Sequence, residues 1–220
     1  MSTVTAPRGD VLRVMLNKVP EVTIAFWVIK VLATTVGETA ADFLAVTLGL
    51  GLSGTTVIMG ALTVAALVAQ FRARRYRPAL YWVAVVLISI VGTLVTDGLV
   101  DGLGVSLWVT FALGAAAEDL LSEGLALGYA VALAVFAAAI ALVALAFSRR
   151  LLAAVPAFWA AYVLTRPLGA SVGDLLSQAP ADGGLGLGTV ATSGALLLVI
   201  LALVTLLSRQ QQTRLAVNAV

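Results

Sequence analysis

Four aspartates in this chain close the same short pattern, a glycine followed five positions later by the acid. They lie at Gly37–Asp42 (GETAAD), Gly92–Asp97 (GTLVTD), Gly114–Asp119 (GAAAED) and Gly169–Asp174 (GASVGD). Glu38 stands four residues before Asp42, so the two share one helix face, and Glu118 adds charge beside Asp119. Carboxylates gathered in an apolar setting repel one another, and bound cations or protons relieve that repulsion. The ligands on offer are oxygens, because the chain has no cysteine, no histidine and only three methionines. Oxygen donors suit hard ions such as Mg²⁺, Mn²⁺, Ca²⁺, Na⁺ or H⁺. The candidate ion or substrate site is therefore Glu38, Asp42, Asp97, Asp119 and Asp174, with Arg166 to neutralise the acids or to bind an anionic group. Against this stands the ordinary role of an aspartate near a helix end, solvated or starting a loop. For Glu38 it is an ion pair with Arg166 or Lys30. Thr34, Thr35, Thr93 and Thr96 offer hydroxyls, although such groups usually bond to a preceding carbonyl of their own helix.

The same composition removes most enzymes. Thiolate, iron–sulfur and disulfide chemistry need cysteine, and Ser-His-Asp catalysis and most zinc sites need histidine. Two acids such as Glu38 and Asp42 could act on a lipid, but no nucleophile–base set accompanies them. No enzyme activity, cofactor or nucleic-acid partner is expected. The run LGLG at Leu48–Gly51 and the GGLGLG at Gly183–Gly188 lack the lysine and strand context of a phosphate loop.

What must position these residues is a membrane domain. Of the 220 residues 61% are apolar and 11% charged, with a mean hydropathy of +1.09, far from the roughly 25% charge of a soluble domain. A helix needs about 20 apolar residues to cross the hydrocarbon core. Val22–Leu44, Thr55–Phe71, Ala79–Thr96, Ala126–Phe147, Leu151–Leu168 and Thr189–Leu207 are the expected spans. Val105–Ala117, with 13 residues, is too short to cross and reads as a re-entrant or surface segment. The expectation is an all-α integral membrane protein of about six transmembrane helices: residues 1–18 cytoplasmic, 19–208 one polytopic domain, 209–220 a cytoplasmic tail.

Charge gives the orientation. Arg13 and Lys18, then Arg72, Arg74, Arg75 and Arg77, then Arg149 and Arg150, then Arg209 and Arg214 fall at alternate ends of the spans. By the positive-inside rule they face the cytoplasm. The aspartate ends then lie outside, with both termini inside. Trp27, Trp82 and Trp159 each stand ten residues before a pattern glycine and follow Pro20, Pro78 and Pro156. Interface anchoring is the expectation for them. The RARRYR run is a topology determinant first and a lipid-headgroup site second.

The pattern is an internal repeat. Asp42 to Asp97 is 55 residues and Asp119 to Asp174 is 55 again, but Asp97 to Asp119 is only 22. A two-helix unit of about 55 residues recurs, with roughly 33 missing from the middle: the second helix of unit two and the start of unit three. Each unit crosses twice, so successive units share one orientation around an axis along the membrane normal. Their first helices would bring the four aspartates to a common ring.

The runs VPEVTIAFWVIKVLATTVGETAADFL, RYRPALYWVAVVLISIVGTLVTD and FWAAYVLTRPLGASVGDLLSQ resemble a family of bacterial uncharacterised membrane-anchored proteins built from four tandem two-helix repeats. The resemblance implies eight spans in a complete member, reduced here by the shortened middle, and a plasma (inner) membrane location. It implies no activity. The leading expectation from the residues is a transporter or channel-like protein for a hard cation or protons. The alternative is a non-transporting scaffold or partner subunit, and the incomplete repeat set makes a homo-oligomer attractive.

Overall fold

The computed structural model describes residues 22–73, 77–106 and 114–217; of Ala115 and of residues beyond 210 only the backbone is described. Most of Val105–Ala117, Trp108, and the basic residues Arg8, Arg13, Lys18, Arg74 and Arg75 lie outside the described residues, as does the side chain of Arg214.

All regular structure among the described residues is helical. Seven helices occur: α1 (Ile24–Asp42), α2 (Gly51–Arg72), α3 (Pro78–Asp97), α4 (Ala115–Asp119), α5 (Tyr129–Ser148), α6 (Ala154–Ser177) and α7 (Thr189–Val217). Their starts follow from local chemistry. Thr23 caps α1, its hydroxyl accepting from the Phe26 N–H at 3.3 Å. Proline opens α3, where its missing N–H costs nothing and its fixed φ already suits a helix. Just after Asp42, Asp97 and Asp119 the backbone widens into one π-turn, over Phe43–Thr47, Gly98–Gly102 and Leu120–Gly124. The bonds Leu48 N–H to Phe43 C=O at 2.9 Å and Leu125 N–H to Leu120 C=O at 2.8 Å close two of these turns.

Five helices are long and apolar enough to cross a membrane, spanning Ile24–Thr47, Gly51–Arg72, Pro78–Gly102, Tyr129–Ser148 and Thr189–Gln210. The chain is a multi-pass α-helical membrane protein. The remaining expected span, Leu151–Leu168, overlaps α6, a helix of 24 residues that begins at Ala154 and runs on to Ser177. It has the length to cross but is more polar, because Arg166, Ser171 and Asp174 are turned inward.

Two layers build the bundle. The first helices of the four repeats, α1, α3, α4 and α6, pack in a closed cycle: α1 on α3, α3 on α4, α4 on α6, α6 on α1. The second helices lie outside, each chiefly on the first helix of the following unit: α2 on α3, α5 on α6, and α7 back on α1. A second helix of unit two would fall on α4, and the shortened middle leaves it out. The cycle has a large apolar floor where Phe26, Ile29, Ala33, Val36, Trp82, Ile200 and Val204 are buried together. Trp82 belongs to that floor, only 2% exposed, with its ring 5.6 Å from that of Phe26. Its place is inside the bundle, whereas Trp27 is half-buried and Trp159 is 57% exposed. Of the three tryptophans expected at the interface, only Trp159 presents most of its ring outward. The other two pack beside Phe26 and Phe158.

Candidate functional site

The glycines of the repeated pattern are the points where the ring closes. A Cβ at Gly37 would run into the Ser89 hydroxyl and come within 2.7 Å of Ser89 Cβ. At Gly169 it would run into the Thr34 hydroxyl and come within 2.6 Å of Thr34 Cβ. At Gly114, where φ is +86°, it would lie 2.5 Å from Arg166 Cγ. Thr34, Ser89 and Arg166 hold one register, three residues before the glycine of their own unit. Gly37, Gly114 and Gly169 thus each receive the residue at this position of the next unit, and unit four closes on unit one. The equivalent residue of unit three, Phe111, lies outside the described residues.

That register selects what points at the axis. Thr34 Oγ1 lies 3.0 Å from the Thr165 carbonyl across the α1–α6 crossing, besides 2.7 Å from Val31 O of its own helix. In unit four the position holds Arg166, whose long side chain passes between Gly114 and Gly92; a Cβ at Gly92 would touch its Nη2 at 3.4 Å. Arg166 donates from Nη1 to Ser89 Oγ at 2.8 Å and from Nη2 to Thr93 Oγ1 at 2.6 Å. Thr93 in turn donates to Glu38 Oε2 at 3.1 Å. The expected link between Glu38 and Arg166 is therefore made through a hydroxyl. Lys30 does something else: its ammonium stands over the Tyr162 ring, 4.4 Å from the centroid. Thr35 and Thr96 bond to carbonyls of their own helices.

The structure brings the acids of all four units together. Glu38 feels the charge of Arg166; Asp42 that of Glu38 and Glu123; Asp97 those of Glu38, Asp42, Asp101 and Arg166. Asp119 interacts with Glu38, Glu118 and Asp97, and Asp174 with Glu38, Glu118 and Asp42. They differ in depth. Glu38 and Asp174 are each 6% exposed, Glu118 is fully buried, and Asp42, Asp97 and Asp119 are half-buried.

Glu118 is the residue whose importance the spacing does not convey. It precedes the pattern aspartate, and in the other units its position holds Ala41, Thr96 and Gly173. Carboxylate oxygens of Glu118, Asp119 and Asp174 all lie within 4.8 Å of one another. Both oxygens of Glu118 are buried, and no N–H or O–H donor among the described residues reaches them. Its close polar neighbours are the Asp174 and Asp119 carboxyls and the Ser122 hydroxyl; the hydroxyl donates to the Glu118 backbone carbonyl at 3.0 Å, and the carboxyls can bond to it only through a shared proton. Glu118 and Asp119 stand on α4, which does not span. Burial, then the charges of Glu38, Glu118 and Asp97, pushes the Asp119 carboxyl up to about 9. Three carboxyls that resist ionising side by side fit one of two fillings, retained protons or a hard cation.

A family of tandem repeats, described as Repeat of Unknown Function (DUF347), matches residues 25–76, 80–117 and 157–213, more than half of the chain. The second match runs across the shortened middle as far as Ala117. No curated protein and no solved structure matches the chain.

Proposed function

Since the chain belongs to the DUF347 repeat family, whose description carries no activity, we propose a function from its site: a small membrane transporter or channel-like protein that moves a hard cation or protons through the acidic ring. One observation carries this reading. Acids from four repeats converge on one axis, and within them Glu118 is fully buried with no donor among the described residues on either oxygen. Unpaired intramembrane carboxyls are costly and are kept where ions or protons pass. A purely structural acid would have found a donor, as Glu38 finds Thr93.

Arg72, Arg77, Arg149, Arg150 and Arg209 stand at the helix ends opposite the acids. This supports a plasma-membrane orientation with the acidic mouth outside and both termini in the cytoplasm, in a bacterial inner membrane by the resemblance above. The reduction of unit three to a short α4 favours one second reading, a non-transporting scaffold or partner subunit.

Flux separates the two. In liposomes with an imposed ion or pH gradient, Asp97→Asn is expected to lower the flux of the transported ion at least about tenfold, roughly 1.4 kcal/mol or more on the barrier. Its helical content and unfolding temperature should stay near those of the wild type, because Asp97 is half-buried. Absence of flux for Mg²⁺, Mn²⁺, Ca²⁺, Na⁺ and H⁺ in wild-type protein would favour the scaffold.

A further inference from the structure

The acidic ring is not uniform, and its asymmetry singles out one cation site. On one side Glu38 is answered by the Arg166 guanidinium through Thr93. On the other side Glu118, Asp119 and Asp174 crowd together, with no donor among the described residues reaching either Glu118 oxygen. We propose that Glu118, Asp119 and Asp174 form a binding site for a single divalent hard cation, with Glu38 left out of its ligand set. This rests on the transport reading and names the place where the ion dwells.

Charge favours a divalent ion, and the spacing admits one of the size of Ca²⁺. Oxygens that ligate Ca²⁺ at about 2.3–2.6 Å lie at most about 4.6–5.2 Å apart. The three carboxylates, with oxygens within 4.8 Å of one another, fall in that range. A divalent ion cancels most of the charge of three carboxylates, whereas a monovalent one leaves two of the three unanswered. The ligands come from unit three and unit four, on α4 and α6, so the ion ties the shortened unit to its neighbour. Asp119 is half-buried and is the ligand nearest solvent, which makes it the entry side; Glu118 is the buried end. Arg166 lies on the far side of the same helix junction, packed on Gly114. It neutralises Glu38 there and keeps that carboxylate from competing for the ion.

The test is a thermal-shift titration of the purified full chain in detergent with Ca²⁺, Mn²⁺, Mg²⁺ and Na⁺ in turn. Wild-type protein is expected to show saturable stabilisation by at least one divalent ion and little by Na⁺. Glu118→Gln and Asp174→Asn should each weaken the apparent affinity at least about tenfold, and Glu38→Gln should change it less than about threefold. If Glu118→Gln does not fold, Asp119→Asn carries the same expectation from a half-buried position. No divalent stabilisation in the wild type overturns the site, as does an affinity unchanged by Glu118→Gln or by Asp119→Asn, or one lost in Glu38→Gln. Failure here is distinct from failure of the transport reading: proton flux in liposomes that disappears in Asp97→Asn would leave the transporter standing without a divalent site.

Discussion

Arg166→Ala is expected to be among the most damaging single substitutions in this chain, lowering stability by on the order of 3 kcal/mol. The reason lies with Glu38. It is 6% exposed, and its link to a positive charge runs through Thr93 to Arg166. Removing the guanidinium leaves a buried acid with only a hydroxyl to answer it. The same change empties the space between Gly92 and Gly114, where the Arg166 side chain packs. The two causes separate in a double-mutant cycle. If the charge dominates, Arg166→Ala with Glu38→Gln will be more stable than Arg166→Ala alone, with a coupling of about 1–3 kcal/mol. Equal stability of the single and double variants, measured by unfolding in mixed detergent, would assign the loss to packing.

Gly169→Ala should be as severe, at about 3 kcal/mol, the upper end of ordinary overpacking. The new methyl would meet the Thr34 hydroxyl and Cβ and come within 2.9 Å of the Thr35 backbone nitrogen. A backbone atom cannot step aside as a flexible side chain can, so α1 and α6 must separate. The ring would then lose the Thr34 bond to the Thr165 carbonyl as well. Gly54→Ala and Gly60→Ala are the controls. Both glycines lie in α2 with nothing within 4 Å of an added Cβ, so alanine there should be neutral or stabilising by up to about 1 kcal/mol. Equal losses at Gly54 and Gly169 would mean that the helix crossing is not the seat of the effect.

The sequence makes the repeat legible because spacing survives in it. The 55-residue interval and the 22-residue exception locate both the units and the missing piece, and the helices fall where the apolar runs place them. It reads the aspartates as one ring for the same reason. Other features depend on which face each helix turns inward, and a one-dimensional pattern does not give that. Trp82 follows an interfacial proline like Trp159, yet one is buried and the other exposed, because α3 is covered by α1 and α7 while α6 has an open flank. Glu118 breaks the pattern instead of repeating it, so a search for recurrence passes over it. Its burial arises only once α4 has packed on α6. The register three residues before each glycine was present as Thr34, Ser89 and Arg166, three chemically different residues. Only their common place against a glycine reveals that they are equivalent.

The closed cycle of the inner helices has a bearing on how the protein is made. Among the described helices α1 leaves the ribosome before all others and finds its outer cover in α7, which leaves after them, through Phe26, Ile29 and Val36 on one side and Ile200 and Val204 on the other, and through the Thr39–Ser193 hydroxyl bond at 2.6 Å. Contacts this far apart in sequence form late. Until α7 emerges, α1 therefore keeps Phe26, Ile29, Val36 and Thr39 without this cover, and α7 acts as a clasp. Chains interrupted before α7 should be held open and removed by membrane proteolysis, even though every acid of the ring has already been translated.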